Sequence, residues 1–139
     1  MNPTMKKFFV GVKAIIEDPE KGLLLLKVSR ENRSFWEGPG GRIDDDETFA
    51  ETLTRELNEE LPGSSNVQVL ELLGSERIHR DIEENTGLIL LYYKVTVDLP
   101  EPITLSHEHV DYTWLAKNGT IPTPCDAGLR KIIEAWQAA

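Results

Sequence analysis

The sequence predicts an α/β fold: a sandwich of helices around a mixed β-sheet, with elements in the order ββαβββα. Three observations lead there. Five segments rich in β-branched, aromatic and leucine residues have strand length: residues 8–16, 23–28, 67–78, 86–97 and 111–115. Between the second and third, Ala50, Leu53, Leu57 and Leu61 recur at helical period. At the end of the chain Leu129, Ile132, Ile133 and Trp136 do the same. Two amphipathic helices and one sheet place the helices on opposite faces.

The first strand alternates loosely and gives way to Asp18-Pro19-Glu20-Lys21-Gly22, a turn in which proline and glycine fix the backbone. Residues 23–28 form an almost continuous apolar run, as in a strand covered on both faces. Residues 30–33 read as a polar loop, and Phe35-Trp36 leads into a glycine turn. The central helix is predicted over residues 47–61, with Asp44, Asp45 and Asp46 capping its positive end and Pro62-Gly63 ending it. The third strand is predicted to break near Gly74, and residues 79–85 to form a charged turn before the fourth. His107, Glu108 and His109 fall in a polar loop. The last helix is predicted over residues 124–136, with Thr123 as N-cap, Pro124 in the first position and Asp126 in the third.

The chain has 139 residues, 40% hydrophobic and 28% charged, which fits one globular domain spanning residues 1–139. A net charge of −9 argues against a duplex nucleic-acid binder that works by neutralising phosphates. The single cysteine, Cys125, excludes an internal disulfide and a multi-cysteine zinc site, and is compatible with a cytoplasmic protein. No apolar run approaches a membrane span, and the lysines near the N-terminus precede a strand rather than a signal segment, since Lys13 interrupts the run and no cleavage site follows.

Charge runs on helices are usually solvated faces. Here Glu56, Glu59 and Glu60 stand at i, i+3 and i+4 in the half of the helix where the dipole disfavours anions. Like charges at that spacing destabilise a helix by ~0.2–0.5 kcal/mol per pair. Arg55 offsets part of this by pairing with Glu51 or Glu59. A divalent cation reverses the balance, because hard cations take carboxylate oxygens and bridge them to substrate phosphates. Phosphoanhydride hydrolysis uses such an arrangement. Gly38, Gly40 and Gly41 before the helix suit close backbone approach to a ligand.

Gly41, five residues, Glu47, seven residues, then Arg55-Glu56-Leu57-Asn58-Glu59-Glu60 resembles the Nudix box. The lead-in Trp36…Pro39-Gly40-Gly41 is similar too. The resemblance implies a Nudix α/β/α sandwich and hydrolysis of nucleoside diphosphate derivatives. It implies Mg²⁺ or Mn²⁺ bound by Glu56, Glu59, Glu60 and the Gly40 carbonyl, Arg55 orienting the glutamates, and Glu47 supporting the loop–helix junction. It is also compatible with a homodimer. Pro62-Gly63 replaces the glycine and aliphatic residue that close the family pattern, and Val67 is the candidate to supply the missing packing. The general base is either a box glutamate such as Glu56 or Glu59, or a downstream acid. Ser106-His107-Glu108-His109 followed by Trp114-Leu115 resembles a late family segment, which makes Glu108 that acid; the alternative is an ordinary surface carboxylate.

Arg80 and His79 are candidates for phosphate contacts, His107 and His109 for phosphates or bases, and Asp126 for a base edge. Phe35 or Trp36 could stack on a base or belong to the core. The lack of an insertion favours a small nucleotide, either a nucleoside or a deoxynucleoside triphosphate split to a monophosphate and pyrophosphate. ADP-ribose or another sugar nucleotide is the runner-up, and a nucleotide-binding module without turnover is the reading from a different class.

Overall fold

A computed structural model of the chain describes residues 5–139. It contains strands β1 (Lys7–Asp18), β2 (Gly22–Arg30), β3 (Arg33–Glu37) and β4 (Gly40–Arg42), helix α1 (Phe49–Glu60), strands β5 (Ser65–Glu83), β6 (Thr86–Asp98) and β7 (Asp111–Leu115), and helix α2 (Ala127–Ala138). The sheet order is β3-β2-β1-β6-β5, with β4 beside β1 and β7 beside β2. It is a mixed sheet. β1 runs parallel to β6 from the Lys7–Thr86 pair to Ile16–Val95, and antiparallel to β4 through Gly11–Arg42, Val12–Gly41 and Lys13–Gly40.

Side-chain alternation on the central strands builds two cores. Val12, Ala14 and Ile16 of β1 and Leu24 and Leu26 of β2 pack with Leu53, Leu57 and Leu61 of the central helix. Ile15, Leu23 and Leu25 point the other way and pack with Leu129 and Ile133 of the last helix. The helices therefore cover opposite faces, as the sequence predicts. Ala50 is the exception on the central helix: it is exposed, one turn short of the core.

Several boundaries differ from the sequence reading. The segment after Arg30 is not a loop into a glycine turn but two further strands. β3 pairs with β2 along its whole length, and β4 is only three residues long, too short to show a period. β5 is not broken at Gly74; its register against β6 shifts there instead. It continues to Glu83, so His79 and Arg80 lie on a strand and only Glu84-Asn85 turn.

The central helix is capped by Thr48 rather than by Asp44–Asp46. The Glu51 amide donates to Thr48 Oγ1 (3.1 Å), and the Thr48 amide donates to Glu51 Oε1 (2.9 Å). This reciprocal pair satisfies two free amides and turns Glu51 to the cap, while Arg55 pairs with Glu47, Glu56 and Glu59 instead. Thr48→Ala is expected to lower stability by about 1 kcal/mol, read as a shift in the urea midpoint at unchanged slope. The helix stops at Leu61, and Gly63 takes φ +87°, the left-handed conformation that glycine tolerates. Val67 is partly buried against the same core, so it supplies the packing expected of it.

The last helix starts at Ala127, not at Pro124. Asp126 is its N-cap residue but makes no side-chain cap bond, and Thr123 and Pro124 lie before it. The Pro124 carbonyl instead accepts from the Trp36 amide at 2.9 Å. No helix among the described residues is long and apolar enough to cross a membrane.

Candidate active site

The site begins where β4 meets the C-terminal half of α1. Glu60, the last helical residue, is 2% exposed, and its Oε1 accepts from the Gly40 amide at 2.7 Å. Glu56, one turn earlier, lies over Gly41 so closely that a Cβ there would fall 2.3–2.7 Å from the carboxylate atoms. Gly40 has φ +147°, and a Cβ on it would meet the Val12 carbonyl oxygen at 2.0 Å. The backbone around Gly40 thus requires glycine, while at Gly41 a larger residue would have to displace the Glu56 carboxylate. Gly41→Ala should push Glu56 aside and lower kcat by about 10–100-fold, while thermal unfolding changes much less; assay and melting curve together separate the two.

Arg55 fixes the stripe from the other side. Its Nε and Nη2 donate to the two Glu47 oxygens (2.7 and 2.9 Å), a two-pronged pair. Nη1 donates to Glu56 Oε1 at 2.9 Å and lies 3.6 Å from Glu59. Glu47 also accepts from the Thr52 hydroxyl at 3.1 Å, so the loop before the helix is tied to its middle. The hydrogen bonds from Arg55 hold the Glu47 carboxyl down at about 2. The Arg55 partner is therefore Glu47 with Glu56, not Glu51, and Glu59 is a looser third contact.

Burial pushes the Glu60 carboxyl up to about 8, with Glu37 and Glu56 adding to it against the pull of Lys13 and the Gly40 amide. Burial also raises Glu56, and Arg55 only partly opposes it. Two acids that lean toward protonation for want of positive charge, beside an exposed third, form a hard-oxygen donor set that a divalent cation fits.

Behind them lies an ion pair that sequence reading does not reveal. Lys13 Nζ is 3.0 Å from Glu37 Oε1, and His109 Nε2 is 2.9 Å from Glu37 Oε2. Burial raises Glu37, but Lys13 and His109 outweigh it and hold the carboxyl at about 2. Ligand atoms of Glu37, Glu60 and His109 lie within 4.8 Å of one another, a tighter set than the three box glutamates make. The Lys13 ammonium already serves as the cation there. Lys13 interrupts an apolar strand, and that interruption is the only trace of the pair in the sequence.

Lys13, Glu37, Glu56, Glu59 and Glu60 border one cleft of about 710 Å³. Its lining divides chemically. Glu56, Glu59, Glu60 and Glu108 supply carboxyl oxygens; Phe35, Ile78, Leu88 and Leu90 form an apolar wall with Cys125 and Asp126; Arg30, Arg33, Arg42 and Arg80 bring positive charge. Burial and the neighbouring Glu76 raise the Asp126 carboxyl. Arg80 faces the cleft because Ile78, Arg80 and Ile82 share one side of β5, which turns His79 away. Phe35 lines the cleft, whereas Trp36 packs toward the last helix. His107 is exposed outside it.

His109 is buried, its side chain only 1% exposed, so it is not a substrate contact. Arg30, Arg33 and Arg42 were missed because β2 runs to Arg30, two residues beyond the predicted strand, and because β3 and β4, which carry Arg33 and Arg42, were not predicted.

A model of the NUDIX domain matches residues 7–136. The chain belongs to the Nudix hydrolase family. Among its relatives is the CTP pyrophosphohydrolase of Escherichia coli strain K12, 27% identical over 133 residues that cover 95% of this chain and 93% of that one. The solution structure of the E. coli ORF135 protein superposes with a TM-score of 0.75 at 26% identity, over 96% of this chain and 91% of that one. The MutT protein from Methanosarcina mazei Go1 gives 0.74 at 25% identity, over 96% and 95%. In this Nudix hydrolase the box glutamates, the downstream acid Glu108, Arg80 and Asp126 share one cleft, while His109 stands behind it.

Proposed function

We propose that this Nudix hydrolase splits a nucleoside or deoxynucleoside triphosphate into a monophosphate and pyrophosphate, using Mg²⁺ or Mn²⁺. One observation carries the reading: a single cleft joins a carboxylate stripe, four arginines and an apolar wall with a lone carboxyl, Asp126. That set matches metal, phosphates and base in turn. Glu56, Glu59 and Glu60, with the Gly40 carbonyl, would hold the metal. When bound, it neutralises the phosphates and stabilises the charge that develops on the leaving group.

The chain's own residues do the rest. Arg80, with Arg30, Arg33 and Arg42, draws the triphosphate into an acidic protein and orients it. Arg55 keeps Glu56 at a fixed angle through its guanidinium. Glu108 takes the proton of the attacking water: its carboxylate borders the cleft, raises Glu56 by its proximity, and is held by no ion pair among the described residues. The water oxygen bonds to the α-phosphorus as the bond from that phosphorus to the α–β bridging oxygen breaks, so the bridge leaves with pyrophosphate. Phe35 stacks on the base and Asp126 reads its edge; an exocyclic amine such as that of cytosine suits an acceptor there. The E. coli CTP pyrophosphohydrolase supports a cytosine nucleotide as the first to try. The lack of a bulky cleft extension favours triphosphates over sugar nucleotides.

A nucleotide panel assayed with and without Mg²⁺, scoring phosphate against pyrophosphate, tests this. Monophosphate and pyrophosphate are expected from a triphosphate, with cytosine nucleotides ahead. Absence of metal-dependent release from any nucleoside diphosphate derivative would overturn the enzyme reading. Faster turnover of ADP-ribose would move the substrate.

A further inference from the structure

We propose that His109 is the positioning residue for Glu108, anchored through Glu37 to the Lys13 ammonium. The proposal rests on the reading of Glu108 as the proton acceptor and deepens it.

Residues 99–110 join β6 to β7, and the last part of this connection, 105–110, carries the exposed Glu108. Backbone bonds fix the segment at two places. The Ser106 amide donates to the Glu60 carbonyl at 3.2 Å, and the Val110 amide donates to the Lys27 carbonyl on β2 at 2.9 Å. Between them the chain turns on itself, with the His109 amide reaching the Ser106 carbonyl at 3.4 Å and the Glu108 amide reaching Ser106 Oγ at 3.4 Å. Contacts that long are weak. The strong hold on the middle of the segment is the His109 side chain, driven inward to Glu37 on β3. Glu108 is exposed and lines the cleft while its neighbour His109 is buried, so anchoring His109 fixes the turn that presents Glu108.

Stability does not account for this arrangement. Burying Lys13, Glu37 and an imidazole carries a desolvation penalty, and packed apolar residues in their place are often neutral or better. His109 Nδ1 is moreover buried with no partner among the described residues. An unsatisfied buried group of this kind is destabilising. The bond to Glu37 needs the proton on Nε2, which leaves the Nδ1 lone pair stranded. A side chain kept under those terms supplies reach and direction. The network touches both halves of the site, because Glu37 and His109 also approach Glu60, whose own carbonyl holds Ser106. The acid that accepts the proton and a glutamate proposed to hold the metal are thereby referenced to one buried cation.

A double-mutant cycle on the full chain with Mg²⁺ and CTP, or the best nucleotide of the panel, tests the proposal. His109→Leu is expected to lower kcat about 10–100-fold with KM and the Mg²⁺ activation midpoint nearly unchanged. His109→Gln, whose amide N–H can reach Glu37, should recover most of that loss. Glu108→Gln is expected to lower kcat about 10²–10⁴-fold. Adding His109→Leu to Glu108→Gln should then cost less than about threefold more, since one acts through the other. Multiplicative losses in the pair, an equal loss with Gln and Leu, or a change confined to KM would overturn the proposal. If His109→Leu does not fold, His109→Asn, too short to reach Glu37, carries the same cycle. Unaltered kinetics for Glu108→Gln would remove Glu108 itself, a failure distinct from additivity, and the positioning role would go with it.

Discussion

Glu60→Gln is expected to lower metal-dependent turnover by about 10²–10³-fold in kcat, while the metal-free protein stays as stable as the native one at acid pH and becomes more stable than it at neutral pH. The two halves of that result have one cause. With burial holding its carboxyl at about 8, Glu60 is largely protonated at neutral pH when no cation is bound, and a glutamine amide has nearly the same shape and charge. Its carbonyl can still accept from Gly40. What the amide cannot do is become an anion for a divalent ion. Melting curves with excess Mg²⁺ should therefore rise for the native protein and stay flat for the variant. The pH sign follows. An acid whose folded value lies above its ordinary 4.5 favours the fold below that value and loses this contribution as pH rises through about 8. In EDTA the native protein should weaken across that window and the variant should not. A Mg²⁺-induced rise equal in both proteins would remove Glu60 from the metal site.

Glu37→Leu is expected to be the most destabilising single change in the site, about 3–5 kcal/mol at neutral pH. It leaves the Lys13 ammonium and the His109 N–H buried without their partner, in a protein whose total stability is on the order of 5–15 kcal/mol. Here the sign is opposite. Lys13 and His109, against burial, bring the carboxyl from 4.5 to about 2, so its contribution is present above 4.5 and is lost as pH falls toward 2. Linkage puts that contribution at about 3 kcal/mol. Urea titrations at pH 7, 4.5 and 3 should show the gap between native and variant proteins closing with acid. Combining it with Lys13→Met should restore much of the loss, since no buried charge is then stranded. A constant gap at all three pH values would disprove the ion-pair account.

The strand–helix order and the acidic stripe were legible because each depends on a period. Leu53, Leu57 and Leu61 announce the core face of α1, and Glu56, Glu59 and Glu60 announce the stripe. Features that depend on long-range pairing were not. β3 and β4 are strands because β2 and β1 lie beside them, not because Arg33–Glu37 or Gly40–Arg42 look like strands. His109 and Glu37 are 72 residues apart, and no local pattern joins them. Caps went astray for a subtler reason. Three aspartates, a threonine and a proline all favour helix starts, and the backbone chose Thr48 and Asp126 by where the strands release the chain.

The position of β1 bears on how the site comes into being. β4, with the two glycines, and β6, with part of the apolar wall, do not pair with each other; each pairs with β1, from opposite sides. The β5–β6 hairpin can zip from its own turn, but the β1–β6 register closes a loop from Lys7 to Thr86, a slow and late event in a chain of this topology. Without β1, no strand pairing links the glycines of β4 to the apolar wall on β6. During refolding, turnover is therefore expected to return with the insertion of one central strand rather than with the gradual gain of helix or hairpin.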